Sequence, residues 1–181
     1  MANAKHYVLT SLTLGIIAAS AAGIIGLTNF ATKDRIAENE KQKIRDGIDS
    51  IFGTGYEILN EFEISDKDYN YLVYGYQVKN DDSGLNRYAI KTLGSNSYGK
   101  ISLLVGVFEN SSHEYKFGRL SIIVDEQTYA STLEDDYIDI INGNEHYDDI
   151  DVHCGATYGA TLVRNMIDMT VSYANTVLGS E

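Results

Sequence analysis

The sequence predicts an α+β domain carried on a single N-terminal transmembrane helix, and three observations predict it. From Tyr7 to Thr32 the chain has no Asp, Glu, Lys or Arg, a stretch longer than the ~20 residues that take a helix across a bilayer. Between residues 56 and 126, segments rich in Tyr, Ile, Leu and Val are punctuated by Asp, Asn, Ser and Gly, the pattern of strands and turns. Near the C-terminus, Val163, Met166, Ile167, Thr170, Val171, Ala174, Val177 and Leu178 recur at helical spacing and define one apolar face. Strands grouped together and followed by a helix, rather than alternating with helices, indicate an antiparallel or mixed sheet.

The span carries Val8, Leu9, Leu12, Leu14, Ile16, Ile17, Ile24, Ile25 and Leu27, diluted by small and hydroxyl residues. Gly15, Ala19 and Gly23 recur every four residues, as do Ala18, Ala22 and Gly26. Small residues at that interval let a second helix approach closely, so the span is expected to pack against other integral subunits. Ala19-Ser20-Ala21 also reads as a signal-peptide cleavage site. The apolar run continues past it, which favours a retained anchor. Lys5 and the N-terminal amine on one side nearly balance Lys33 and Arg35 on the other, so flanking charge does not orient the span.

After the span, Thr32 is expected to cap a second, solvated helix with an apolar stripe of Ile44, Ile48, Ile51 and Phe52, stopped by Gly53. The expected division is therefore a membrane anchor at 1–32, a juxtamembrane helix at 33–55 and the main domain at 56–181. Strands are expected at 56–65, 71–79, 86–92, 101–108 and 115–126. The fourth is nearly continuous apolar sequence, as befits a central strand, and 109–114 forms the turn before the fifth. In the second, Leu72, Tyr74, Tyr76 and Val78 make the more apolar face.

The formal net charge is −12, and the first 32 residues contribute only Lys5 to it. The acidic excess therefore belongs to the part that meets water, which argues against nucleic-acid binding and against docking onto anionic lipid. The densest run, from Glu134 to Asp151, holds eight acids and no Lys or Arg. It lacks the spacing of a calcium loop and reads as a solvated acidic surface. Cys154 is the single cysteine. That rules out an internal disulfide and leaves a redox thiol or a small packed residue as its readings. His6, His113, His146 and His153 show no triad-like or zinc-binding context, and there is no Gly-x-Ser-x-Gly or His-Glu-x-x-His motif, so hydrolase chemistry has no support.

The stretch most informative about function is Asp151-Val152-His153-Cys154-Gly155-Ala156-Thr157, just ahead of the C-terminal helix. Two small residues leave the Thr157 hydroxyl unhindered at a helix start, where free amides and the helix dipole suit a phosphate. The plain alternative is an ordinary helix start without a ligand.

This stretch resembles the Asp-x-x-Ser/Thr-Gly-Ala-Thr motif of proteins that carry FMN covalently on threonine. Among them are the G subunit of Rnf-type electron-transport complexes and the C subunit of sodium-pumping NADH:quinone oxidoreductase. Two further segments share the resemblance: Thr28 to Glu40, similar to the juxtamembrane run of Rnf G subunits, and Ser97 to Phe108, similar to the strand crossing the flavin domain. The resemblance implies FMN joined by a phosphodiester to Thr157, with Asp151, Cys154, Gly155, Ala156, Tyr158 and Gly159 around it. It also implies a flavin transferase for maturation, integral partner subunits, a domain on the extracytoplasmic side of the cell membrane, and a role as an electron carrier rather than a stand-alone catalyst. The sequence departs from the pattern in three places: Cys154 stands where Ser or Thr is usual, Gly159 replaces a common Ser or Thr, and residues 127–133 lack the Thr-Pro-Gly-Leu-Gly-like loop of many members. Two other readings stay open. One is a free-standing extracytoplasmic flavoprotein for extracellular electron transfer. The other is a non-redox, membrane-anchored sensor or adhesion domain.

Overall fold

The computed structural model describes residues 2–79, 85–144 and 146–180. The chain forms two compact units, Met1–Gln42 and Lys43–Glu181.

Helix α1 (Ala2–Phe52) begins in the first unit and ends in the second. In the first unit its apolar window is wholly unburied, and the helix is long and apolar enough to cross a membrane. Thr10, Thr13, Ser20, Thr28 and Thr32 each donate their hydroxyl to the carbonyl four residues back, at 2.8–2.9 Å. That internal pairing spares these hydroxyls the cost of going unbonded in hydrocarbon. It also corrects the expected N-cap at Thr32. Thr32 lies inside an unbroken helix with its hydroxyl on the Thr28 carbonyl, because a threonine satisfied in this way does not end a helix. No Gly or Pro occurs between Leu27 and Asp46 to end it either.

The second unit opens with the last turns of α1. Ile44, Ile48 and Ile51 are buried against Tyr76, Val78, Ala89, Leu104 and Ile123, as the stripe at spacings of four and three requires. Gly53 then takes φ 98° and returns its amide to the Asp49 carbonyl at 2.9 Å. This is the left-handed helix stop that glycine adopts without strain.

Five strands follow: β1 (Ile58–Glu63), β2 (Leu72–Val78), β3 (Arg87–Asn96), β4 (Gly99–Glu109) and β5 (Tyr115–Asp125). They pair in chain order, every pair antiparallel. β3 runs past the expected residue 92, because Ser95 and Asn96 pair with Lys100 and Gly99. β4 is buried from Ile101 to Val107. Its continuous apolar sequence follows from cover on both faces. Leu104 meets α1 on one side, and Ile101, Leu103 and Val105 meet helix α4 (Thr157–Thr176) on the other. The face of α4 read from sequence is the packed one, with Val163, Met166, Ile167, Thr170 and Ala174 buried.

One helical segment escaped the sequence reading. Helix α2 (Ala130–Leu133), a π turn (Glu134–Ile138) and helix α3 (Asp139–Ile141) follow one another without a break. Leu133, Tyr137, Ile138 and Ile141 face the core. The acids between them, Glu134, Asp135, Asp136 and Asp139, are exposed, so this part of the acidic surface is the outer face of a helical segment whose other face is buried. Glu145, part of that run, lies outside the described residues.

The edge strand β5 is closed by side chains. Asn142 accepts from the Leu120 amide at 2.9 Å and donates to its carbonyl at 3.0 Å. Asn175 does the same for Tyr115, at 2.8 and 2.9 Å.

Candidate functional site

The loop that leads into α4 is pinned from the helix itself. Arg164, one face of α4, donates to the carbonyls of Tyr147 (2.8 Å), Asp148 (3.0 Å) and Ile150, and to the Tyr137 hydroxyl (3.0 Å). Tyr147 donates its hydroxyl to Asp168 at 2.8 Å. A planar guanidinium that fans over several acceptors fixes a loop where a lysine would hold one point. Sequence reasoning passed over Arg164, yet a signal was present: it is the one Lys or Arg after Arg119.

Beyond this anchor the motif folds tightly. Asp151 is exposed and receives the His153 amide at 2.9 Å, with the His153 ring nitrogen 2.6 Å from the same oxygen. That amide, and then the imidazole, hold the Asp151 carboxyl below its ordinary pKa. The Cys154 amide bonds the Val152 carbonyl, and the Cys154 side chain packs partly buried against the core. The small packed residue is the reading this environment favours. Thr157, half-buried, is the first residue of α4 and donates its hydroxyl to the Cys154 carbonyl at 2.7 Å. Ala156 holds the N-cap position, with no side-chain cap.

Ala160 donates the first bond of α4, to the Ala156 carbonyl. The amides ahead of it are those of Thr157, Tyr158 and Gly159. The amides of Ala160 and Thr161 belong to the helix interior.

Gly155, Ala156, Thr157, Tyr158 and Gly159 form one side of a cleft of about 260 Å³, completed by Tyr98, Gln127, Tyr129 and Leu133. Two glycines make the arrangement possible. A Cβ on Gly155 would come within 2.8 Å of Thr132, and one on Gly159 within 2.9 Å of Leu133. The departure at Gly159 thus has a structural reason, since α2 fills the space a side chain would need. Opposite, Gly99 takes φ 139°, and a Cβ there would lie 2.1 Å from the Glu126 carbonyl oxygen. No side chain fits, and this close approach lets Gln127 donate to the Gly99 carbonyl at 2.7 Å. Tyr98 is held in place by its own backbone, whose amide meets Asn96 and whose carbonyl accepts from Thr128. Asn96 also reaches the Tyr158 carbonyl at 3.2 Å.

The residues lining the cleft include no Lys or Arg, and no group of metal-ligating side chains occurs among the described residues. A phosphate here would depend on the α4 N-terminus, worth roughly half a positive charge. A phosphodiester, with one negative charge, suits that supply better than a free monoester with nearly two. Ligand pockets commonly enclose about 300 Å³ or more, so this open cleft fits part of a tethered cofactor rather than a whole diffusible one. An uncharged cleft with three tyrosines beside a helix N-terminus has the apolar faces and the amides that a flavin nucleotide would use.

Next to Gln127, the Asp125 carboxyl accepts the Gln127 amide on one oxygen, while the other is buried with no partner among the described residues. Burial pushes its pKa up. A raised carboxyl pKa favours folding below the unfolded value near ~3.9, and that contribution is lost as pH rises through the folded value. Asp125→Asn is therefore expected to stabilise the detergent-solubilised chain at neutral pH, by a few degrees in Tm, and to bring no gain near pH ~3.5, where Asp125 is itself neutral. The residue is only half-buried, which keeps the gain small. Thermal unfolding at the two pH values checks this; a lower Tm at neutral pH would show the carboxylate to be satisfied there.

Fold and site together define a helix-anchored α+β domain with an aromatic cleft at a helix N-terminus. Residues 1–51 match the family model described as the RnfG N-terminal region, and the chain is RnfG-like over that stretch. The match ends within α1, so the sheet and the cleft lie beyond it. Comparison with curated proteins gave no match. The candidate span is long and apolar enough for a membrane anchor, and the likeness to RnfG is confined to the N-terminal region that contains it.

Proposed function

We propose that this chain is an electron-relay subunit of a redox-driven, ion-translocating complex and carries FMN on Thr157. The observation that carries the reading is the junction of a half-buried threonine hydroxyl, a helix N-terminus and an uncharged, tyrosine-lined cleft. Thr157 supplies the ester oxygen, and the Cys154 carbonyl holds its proton beforehand. Gly155 and Ala156 leave room for a phosphate and for a flavin transferase, and the amides of Thr157 to Gly159 balance the diester charge. Asp151, turned back on His153, orders the loop ahead of the attachment point. The bound flavin supplies one- and two-electron chemistry; the protein positions it and tunes it. A covalent tether has its clearest use outside the cytoplasm, where a lost flavin would not be replaced, so the domain is assigned to that side.

One experiment tests cofactor and sidedness together. In cells that contain a flavin transferase, the full chain should run as a fluorescent band on a denaturing gel, heavier by FMN less water. Protease added to intact spheroplasts should then remove that band. A dark band would leave the non-redox sensor or adhesion reading. A fluorescent band wholly protected from protease would put the domain in the cytoplasm.

A further inference from the structure

Past α1, the exposed tyrosines are Tyr98, Tyr129 and Tyr158, at 38, 51 and 68% of full exposure, and every other tyrosine in Lys43–Glu181 is buried or half-buried. All three line the same cleft. They come from three separate places: the β3–β4 turn, the residue before α2, and the first turn of α4. Large aromatic side chains left exposed together mark a binding surface more often than chance.

We propose that Tyr98, Tyr129 and Tyr158 form the wall against which the isoalloxazine ring stacks, with Tyr98 at its centre. This rests on the Thr157 reading above and goes beyond it by naming the residues that hold the ring. Tyr98 is 5.5 Å from Tyr158, with the two planes 35° apart, and 5.8 Å from Tyr129, at 56°. A ring system sandwiched between two others needs about 7 Å, two contact distances of ~3.5 Å. Neither gap admits one. The tyrosines therefore cover one side of the flavin and leave the other side open. Tyr158 directly follows the attachment residue, so the short ribityl chain of the cofactor brings the ring back over this wall. A one-sided stack fixes the ring's orientation while keeping a face available to an incoming donor or acceptor.

The readout is fluorescence, independent of electron-transport activity. A phenol in contact with an excited isoalloxazine gives it an electron, which then returns, and light emission is lost with no net reaction. The full chain, loaded with FMN and in detergent, should fluoresce several-fold more weakly native than denatured. Tyr98→Leu, matched for covalent loading on the gel, should at least halve that ratio, and Tyr129→Leu and Tyr158→Leu should lower it less. If Tyr98→Leu fails to fold by circular dichroism, the other two variants decide, since their side chains are more than half exposed. Equally loaded, folded variants with the parental ratio overturn the aromatic wall and leave the Thr157 assignment standing. A parent chain without covalent flavin overturns both.

Discussion

Thr157→Ala is expected to abolish covalent flavin altogether while the fold survives. The substitution removes the only aliphatic hydroxyl among the residues that line the cleft, so the loss should be complete rather than graded. The structural cost is small. Thr157 is not the N-cap, since that position belongs to Ala156. What disappears is one hydrogen bond to the Cys154 carbonyl, worth about 0.5–1.5 kcal/mol, and alanine's better helix propensity offsets part of it. Peptide mass mapping checks the outcome, with thermal unfolding as the control. Thr161 is the competing site: one turn further on, it donates its hydroxyl to the Thr157 carbonyl. Flavin kept in Thr157→Ala and lost in Thr161→Ala would move the attachment there.

Arg164→Leu is expected to cause the largest loss of stability. It removes a donor from the Tyr137 hydroxyl and from the Tyr147, Asp148 and Ile150 carbonyls, of which Tyr147 keeps the Ile150 amide. Bonds from a charged donor are worth about 1.5–3 kcal/mol each, although not additively. A total of roughly 3 kcal/mol would lower Tm by about 6–12 °C in a chain of this size. Flavin loading should fall as well, because the 147–150 segment sets where residues 151–157 begin. Arg164→Lys should recover only part of either, lacking the planar fork. The measurements are Tm and the flavinylated fraction by mass spectrometry. Parental values of both in Arg164→Leu would show that the loop holds its position unaided.

Much of this was legible in the sequence, for physical reasons that differ by element. The C-terminal helix could be read because its apolar face packs on the sheet at regular spacing, and β4 because cover on both faces suppresses polar residues along it. The α2–α3 segment was missed because two signals overlap there. Leu133, Tyr137 and Ile141 keep a four-residue spacing, but the acids on the outer face dominate the composition and suggested surface alone. The helix start at Thr32 was misread because threonine can bond backward inside a helix as readily as it caps one, and sequence does not distinguish the two. The motif at 151–157 could be found from sequence, while the residues facing it could not. Tyr98 and Tyr129 reach the cleft only through long-range folding, and fourteen tyrosines offer no hint of which three converge.

The asparagines along β5 bear on how many copies can share a membrane. Anchored proteins diffuse in a plane, where tethering raises the rate at which like domains meet. A bare strand edge in that setting invites a neighbour's backbone to zip onto it. Asn142 and Asn175 counterfeit a sixth strand, each giving the edge one donor and one acceptor at the positions a real strand would use. At the far edge, β1 turns Glu61 and Glu63 outward, so two such edges repel by charge. Backbone groups already satisfied at Tyr115 and Leu120 offer a neighbouring copy fewer places to start a shared sheet.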